Sequence, residues 1–208
     1  MNATIDIRFL KDNELESARV LLVESFTQDP TMDWMLQKNE EGFDQRVKMH
    51  VELGHQSFID AKMPIIGAWV NDDLRGVLYG GSVDNDHMQE ADYHFKEKAK
   101  TMFTGTALKR IMDFEESMSD EMLPNSYFIA LVAVAKHARG RGIGSALIKH
   151  VMAMCKQDET IDNIMLDTGN SRNIELYERL GFKSTAIKAF DENFLQTVMV
   201  YSLRKNHT

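Results

Sequence analysis

Apolar positions fall into two rhythms along this chain of 208 residues. Over residues 4–9, Ile5, Ile7 and Phe9 alternate with polar neighbours, the period of a half-buried strand. Leu15, Ala18, Leu22 and Phe26 then recur at helical spacing behind Asp12, a residue type that caps helix starts, and Asp29-Pro30 ends the run. Phe43, Val47, Val51 and Phe58 predict a second helix over Phe43–Asp60. Two short apolar runs, Ile65–Val70 and 76–83, joined through Asn71-Asp72-Asp73, predict a β-hairpin. Residues 127–134 are almost continuously apolar, as expected of a strand covered on both faces. A glycine-rich turn leads from there into a predicted helix over Ile143–Cys155. A strand at 161–167 follows, then a helix at 171–180 stopped by Gly181. Two apolar runs near 182–189 and 197–203, expected to be antiparallel, close the chain. This order implies an α/β protein with a mixed central sheet.

The stretch between the two halves differs in character. Residues 84–121 hold ten acidic and five basic side chains, a net of −5 out of the chain's −8. Phe95, Met102, Leu108, Ile111, Met112, Phe114 and Met118 fit two helices broken near Gly105. We expect a helical acidic insertion at about 84–122 on a single domain spanning 1–208, with no linker or fixed-period repeat. The five methionines 88, 102, 112, 118 and 122 read as core fillers, or as a flexible wall able to accommodate varied ligands.

Composition narrows the function classes. A chain of this length supports a full core, and 43% hydrophobic with 27% charged residues is a soluble globular mixture. Against 32 acidic residues stand 24 basic ones, which argues against a nucleic-acid partner and suits a cationic ligand. Cys155, the single cysteine, forms no internal disulfide and leaves no Cys-rich zinc site. His87 with His94, and His50 with His55, lack the spacing and third ligand of catalytic zinc, so no metal is expected. No run of 18 apolar residues is present to span a membrane, and the opening MNATIDIRFLKDNELE lacks a signal-peptide pattern. A cytoplasmic protein with no membrane partner is the expectation.

The chemistry-bearing segment runs Leu131-Val-Ala-Val134, Ala135-Lys-His-Ala138, then Arg139-Gly-Arg-Gly-Ile-Gly144-Ser145. A helix start presents unpaired backbone N–H groups and the positive end of the dipole. Glycines let a ligand approach, and Arg139 and Arg141 add charge, so together they favour a pyrophosphate. A P-loop needs Gly-Lys-Ser/Thr after its glycines, and none is present. A dinucleotide fingerprint fits Gly140 and Gly142, but Ser145 stands at its last glycine and the loop comes late in the chain. A coenzyme A cradle is the third reading, and a plain strand-to-helix turn with solvated arginines the fourth.

Arg139-x-x-Gly142-x-Gly144 after an apolar strand resembles the acyl-CoA pyrophosphate motif of the GNAT superfamily of N-acetyltransferases. About 30 residues on, Asn170-Ser-Arg-Asn173-Ile-Glu-Leu-Tyr177-Glu-Arg-Leu-Gly181-Phe182 is similar to that family's second motif. The two cover roughly residues 126–183. A further stretch, Ser25-Phe26-Thr-Gln-Asp29-Pro30-Thr-Met-Asp-Trp34, resembles a segment of members that acetylate small amines.

The resemblance implies a twisted, mixed but mostly antiparallel sheet with flanking helices, and a splayed parallel strand pair holding acetyl-CoA as co-substrate. It assigns Val132, Ala133 and Val134 as backbone partners of the pantetheine arm and thioester. Gly140, Arg141, Gly142, Ile143, Gly144 and Ser145 wrap the pyrophosphate, with Arg139 flanking. Asn170 matches the cofactor-contacting asparagine, and Asn173 is either a second contact or a solvent-facing residue. Tyr177 matches the general acid, a role that suits a hydroxyl protonated at neutral pH. An oxyanion at the thioester carbonyl is served by a strand N–H near Val134.

The base is left open among Glu24, Asp29, Asp33, Glu90, His137 and Asp167, with Asp167 favoured for its place at a strand end beside the cleft. Cys155, three turns into its helix, reads as a packed residue, so direct transfer in a ternary complex is expected. The implied acceptor is a primary amine of a small, cationic molecule, over which the acidic insertion closes. A peptide or protein amine is the rival acceptor, and an acyl-CoA-binding regulator or a nicotinamide-dependent oxidoreductase the rival classes. Strand edges and the insertion each offer a surface for a homodimer.

Overall fold

The computed structural model describes residues 4–203, so the first three residues of the opening segment read above lie outside it. In chain order it contains β1 (Ile5–Phe9), α1 (Leu15–Phe26), α2 (Pro30–Met35), α3 (Phe43–Asp60), β2 (Ile65–Val70), β3 (Asp73–Ser82), α4 (Asp86–Met102) and α5 (Gly105–Ser119). The remainder is β4 (Ser126–Val134), α6 (Ile143–Cys155), β5 (Asn163–Thr168), α7 (Ser171–Arg179), β6 (Lys183–Asp191) and β7 (Phe194–Ser202). The strands form one sheet in the order β1-β2-β3-β4-β5-β7-β6, in which β4 and β5 are the parallel pair and every other pairing is antiparallel. A parallel neighbour requires a crossover, and α6 supplies it.

Two expectations near the start are corrected. Asp12 does not cap α1; it opens a 3-10 turn, Asp12–Glu14, held by a bidentate Arg8–Glu14 pair at 2.6 and 2.8 Å. Asp29-Pro30 does follow the end of α1, but it also begins α2. Asp29 Oδ1 accepts from the backbone N–H of Thr31 at 2.9 Å and of Met32 at 3.4 Å, with Pro30 in the first turn. Asp before Pro is thus a cap followed by a residue whose missing N–H costs nothing there. The hairpin turns on Asn71 and Asp72 with φ of 52° and 65°, the left-handed pair that matches the strand twist.

Side-chain alternation along β3 separates the layers. Gly76 faces α6 so closely that a Cβ there would lie 2.8 Å from Ile143. Tyr79, on the alternate face, is fully buried and shares a 2.7 Å hydrogen bond with His55 of α3. α1 packs on α3, and α4 lies against α3. α5 touches both α4 and α2. Ala107, Ile111, Phe114 and Met118, one stripe at helical spacing, are its buried face. The two helices expected in that stretch are thus α4, laid on α3, and α5, laid on α4 and α2. Among the described residues no helix is long and apolar enough to cross a membrane.

Ile111 of α5 is fully buried. Ile111→Ala is expected to cost about 2–5 kcal/mol of stability. Urea unfolding followed by both far-ultraviolet dichroism and tryptophan fluorescence should keep a single shared midpoint; two midpoints would mean that the insertion folds separately.

Candidate active site

The sheet opens where β4 and β5 part. Their parallel register covers only Ser126–Ile129 against Asn163–Leu166, while β4 runs on to Val134. On its other edge β4 stays paired to β3, with a bulge: Ile129 faces Gly80 and Leu131 faces Tyr79, leaving Ala130 without a partner. Such a bulge bends the strand. The approach is so close that a Cβ at Gly80 would lie 2.5 Å from the Phe128 carbonyl oxygen. Beyond Ile129 the β5-facing edge of β4 therefore carries backbone groups unpaired by the sheet.

The glycine turn sits at the end of that edge. Gly140 and Gly142 have φ of +75° and +81°, and a Cβ at either would meet nothing within 4 Å. It is the backbone that asks for glycine here, and the space in front is open. Gly142 stands at the N-cap of α6, whose first turn has neither a capping side chain nor an acidic residue. The first N–H groups of α6, from Ile143, Gly144 and Ser145, face outward as the start of a helix must leave them. Arg139 Nε donates to the Val134 carbonyl at 3.2 Å, and Arg141 is exposed.

Between the parted strands lies a cavity of about 70 Å³, lined among others by Ala130, Val132, Asp167, Asn173 and Tyr177. Tyr177 is 8% exposed, and its hydroxyl makes no hydrogen bond among the described residues. Burial raises its pKa above the ordinary tyrosine value, and the carboxylates of Asp167 and Asp29 add to the rise. Asn170 is the N-cap of α7, its Oδ1 accepting from the Arg172 N–H at 3.1 Å, which leaves its amide NH₂ uncommitted. Ala133 is buried in the core by its side chain.

A larger cavity of about 390 Å³ lies under α2, α3, α4 and α5, walled largely by phenylalanine and methionine. Thr31, Ala130, Asp167 and Gln196 line both cavities, so the two meet there. Thr31 Oγ1 donates to Gln196 Oε1 at 3.2 Å, and Gln196 Nε2 donates to Asp167 Oδ1. Burial pushes the Asp167 carboxyl up to about 6, against the Gln196 hydrogen bond that lowers it, with Asp29 adding repulsion. Burial and the nearby Asp92 push Glu115 up to about 8, opposed by Lys96.

Of the six candidate bases, Asp29 and Asp167 line the gap. Asp33 is tied to Lys38 at 2.5 Å, His137 to Arg75 at 2.5 Å, and Glu24 and Glu90 are exposed. Cys155 is buried, its thiol pushed up to about 12 by desolvation. Sequence reading missed Thr31, Gln196 and Glu115. The signal for Gln196 was present: Gln-Thr inside the apolar run of β7 is a polar pair in a buried strand, and buried polar groups have partners.

The family model described as Acetyltransferase (GNAT) family matches residues 23–182. The chain belongs to that family. Among solved structures, this GNAT acetyltransferase is similar to arylalkylamine N-acetyltransferase 2 from Aedes aegypti, with a TM-score of 0.68 at 14% identity over 97% of this chain and 100% of that one. The polyamine N-acetyltransferase of Drosophila melanogaster, described as forming N-acetylagmatine, gives 0.65 at 14% identity over 96% and 100%. YncA from Salmonella typhimurium, solved with its cofactor acetyl-CoA, gives 0.59 at 13% over 99% and 98%. At these identities the likeness is one of fold.

Asp167 has a testable effect on folding. Its carboxyl stays protonated in the fold up to about 6, against roughly 4 for an unfolded chain. Between these values the folded protein holds the extra proton, so stability falls as pH rises through that window and stays lower above it. Asp167→Asn should remove the fall, with a stability gain on the order of 2 kcal/mol at pH 8 and little at pH 4. Melting temperatures of both proteins across pH measure it.

Proposed function

We propose that this GNAT protein transfers an acetyl group from acetyl-CoA to the primary amine of a small molecule, by direct attack in a ternary complex. The observation that carries the reading is the meeting of the two cavities at Asp167, beside the unpartnered hydroxyl of Tyr177. The similar structures that act on small amines support the acceptor class.

The residues fit acetyl-CoA. Open space in front of Gly140 and Gly142 and the uncapped N–H groups of α6 suit a pyrophosphate, with Arg139 and Arg141 beside it. The edge of β4 at Val132 and Val134, left unpaired by the sheet though the Val134 carbonyl accepts from Arg139, suits the amide-bearing arm, with Asn173 in the lining of the gap and the NH₂ of Asn170 free at the start of α7. When bound, acetyl-CoA supplies the thioester that the amine attacks.

Asp167 accepts the proton of the acceptor's ammonium, held in position by Gln196 and Thr31. A base with a pKa of about 6 works close to neutrality. Tyr177 donates its hydroxyl proton to the departing sulfur. The two transfers are coupled with the right sign: Asp167 as an anion holds the Tyr177 proton in place, and once Asp167 is protonated that hold is gone. The strand N–H near Val134 faces the negative charge that builds on the carbonyl oxygen. Cys155, buried with its thiol held protonated, takes no part as an acyl carrier.

CoA-thiol release from acetyl-CoA, screened over small amines, is the direct test. Tyr177→Phe should lower kcat at least a hundredfold, with the acetyl-CoA KM changed far less. In the wild type kcat/KM should rise with pH through about 6, as Asp167 ionises, and Asp167→Asn should lose both that limb and at least a hundredfold in rate. Parallel lines in double-reciprocal plots, or an acetylated enzyme in the mass spectrum, would contradict direct transfer.

A further inference from the structure

The larger cavity holds more carboxyl groups than one ammonium needs. Its ionisable lining, with His50 neutral, is Asp92, Lys96, Glu115 and Asp167. Lys96 Nζ donates to Asp92 at 2.7 Å, so the one lining cation is spent on a lining anion. Two carboxyl groups remain, Asp167 at the junction with the gap and Glu115 in the large cavity alone.

Their partners differ. The Gln196 amide serves Asp167, Thr31 serves Gln196, and Ser57 donates to the Leu53 carbonyl at 2.9 Å. Of the buried and half-buried polar side chains lining the cavity, half-buried Glu115 has no hydrogen bond or ion pair among the described residues, and His50 Nδ1 has no hydrogen-bond partner. His50 is 8% exposed with Nδ1 orphaned, and burial lowers it to about 4, so the ring is neutral. Leaving a half-buried carboxyl in an apolar cavity without a hydrogen-bond partner is costly, and a cation brought by the ligand removes the cost. The walls between are apolar, among them Phe58, Phe95, Phe114 and Met118. Such a surface suits a methylene chain.

We propose that Glu115 anchors a second cationic group of the acceptor, so that the preferred substrate is an aliphatic diamine-type dication whose reacting amine lies at Asp167 and whose far cation pairs with Glu115. This rests on the acetyl-transfer reading above. Lys96 and Asp92, the other charged side chains of the wall, stay paired to one another and leave the far cation to Glu115. Glu115 is a specificity-determining residue and takes no part in the proton transfers.

The experiment compares putrescine with butylamine, matched in chain length and differing in the far ammonium. In the wild type kcat/KM should favour putrescine by about 30-fold, the size that one charge-assisted contact in a desolvated site supplies. In Glu115→Gln the ratio should collapse below about threefold, and Glu115→Asp should retain part of it. Equal kcat/KM for the two amines in the wild type, or a ratio that survives Glu115→Gln, overturns the proposal. The wild-type comparison needs no variant.

Titration calorimetry on the CoA-loaded wild-type protein separates this proposal from the functional one. Putrescine binding about 30-fold tighter than butylamine, with neither acetylated, upholds the Glu115 anchor and sinks the acetyl-transfer reading. Thiol release with other amines, but no advantage of putrescine in binding or turnover, sinks the anchor and leaves acetyl transfer standing.

Discussion

β4 and β5 run side by side for four residues and then separate, because β4 is bent by an extra residue at Ala130 while its other edge stays tied to β3. The close approach of Gly80 to the Phe128 carbonyl fixes where the bend falls. Backbone N–H and C=O groups are obligatory hydrogen-bonding groups, and a sheet that opens at its centre leaves some of them unserved. A protein keeps such an arrangement where something outside the chain serves them, and an extended, amide-bearing ligand does so as a strand would. The glycine turn, the start of α6 and Tyr177 are all placed by that parting. β4 delivers the turn, α6 is the crossover that makes β5 parallel, and α7 follows from the end of β5.

Carboxyl groups dominate the electrostatics of the interior. Asp29, Asp167 and Glu115 are all raised chiefly by burial. Each has a different remedy: the N–H groups at the start of α2 for Asp29, a side-chain amide for Asp167, and for Glu115 no hydrogen bond, only the field of Lys96. The gradation follows position, from the helix cap through the junction of the cavities to the acceptor wall. Burial likewise holds His50 neutral and the Cys155 thiol protonated.

What was legible in the sequence was what lies close together along it. α3 and α6 match their expected limits because a helix pattern and a glycine at the helix start are local signals. Gly140, Gly142, Asn170 and Tyr177 were readable for the same reason, being parts of two contiguous motifs. The α2 segment was not. It is a six-residue helix, too short to show a period, and it starts at the dipeptide that was read as a terminator. Nor could the chain's order show that Thr31 and Gln196, 165 residues apart, meet beside Asp167. Burial and repulsion set the carboxyl pKa values, and neither exists until the fold brings α5, β5 and β7 together.

The helix pair α4 and α5 joins the sheet only between β3 and β4, and it supplies one wall of the larger cavity but none of the glycine turn, the parted strands or Tyr177. On the proposed reading, the far wall of the acceptor site and the groups at the thioester are therefore written in separate stretches of the chain, which meet at Thr31, Ala130, Asp167 and Gln196. Substitutions along the inner face of α5 change what the cavity admits without moving a group that touches the thioester. In an evolving lineage this makes the insertion the cheap place to experiment: substrate range can drift there while the reaction itself is inherited intact.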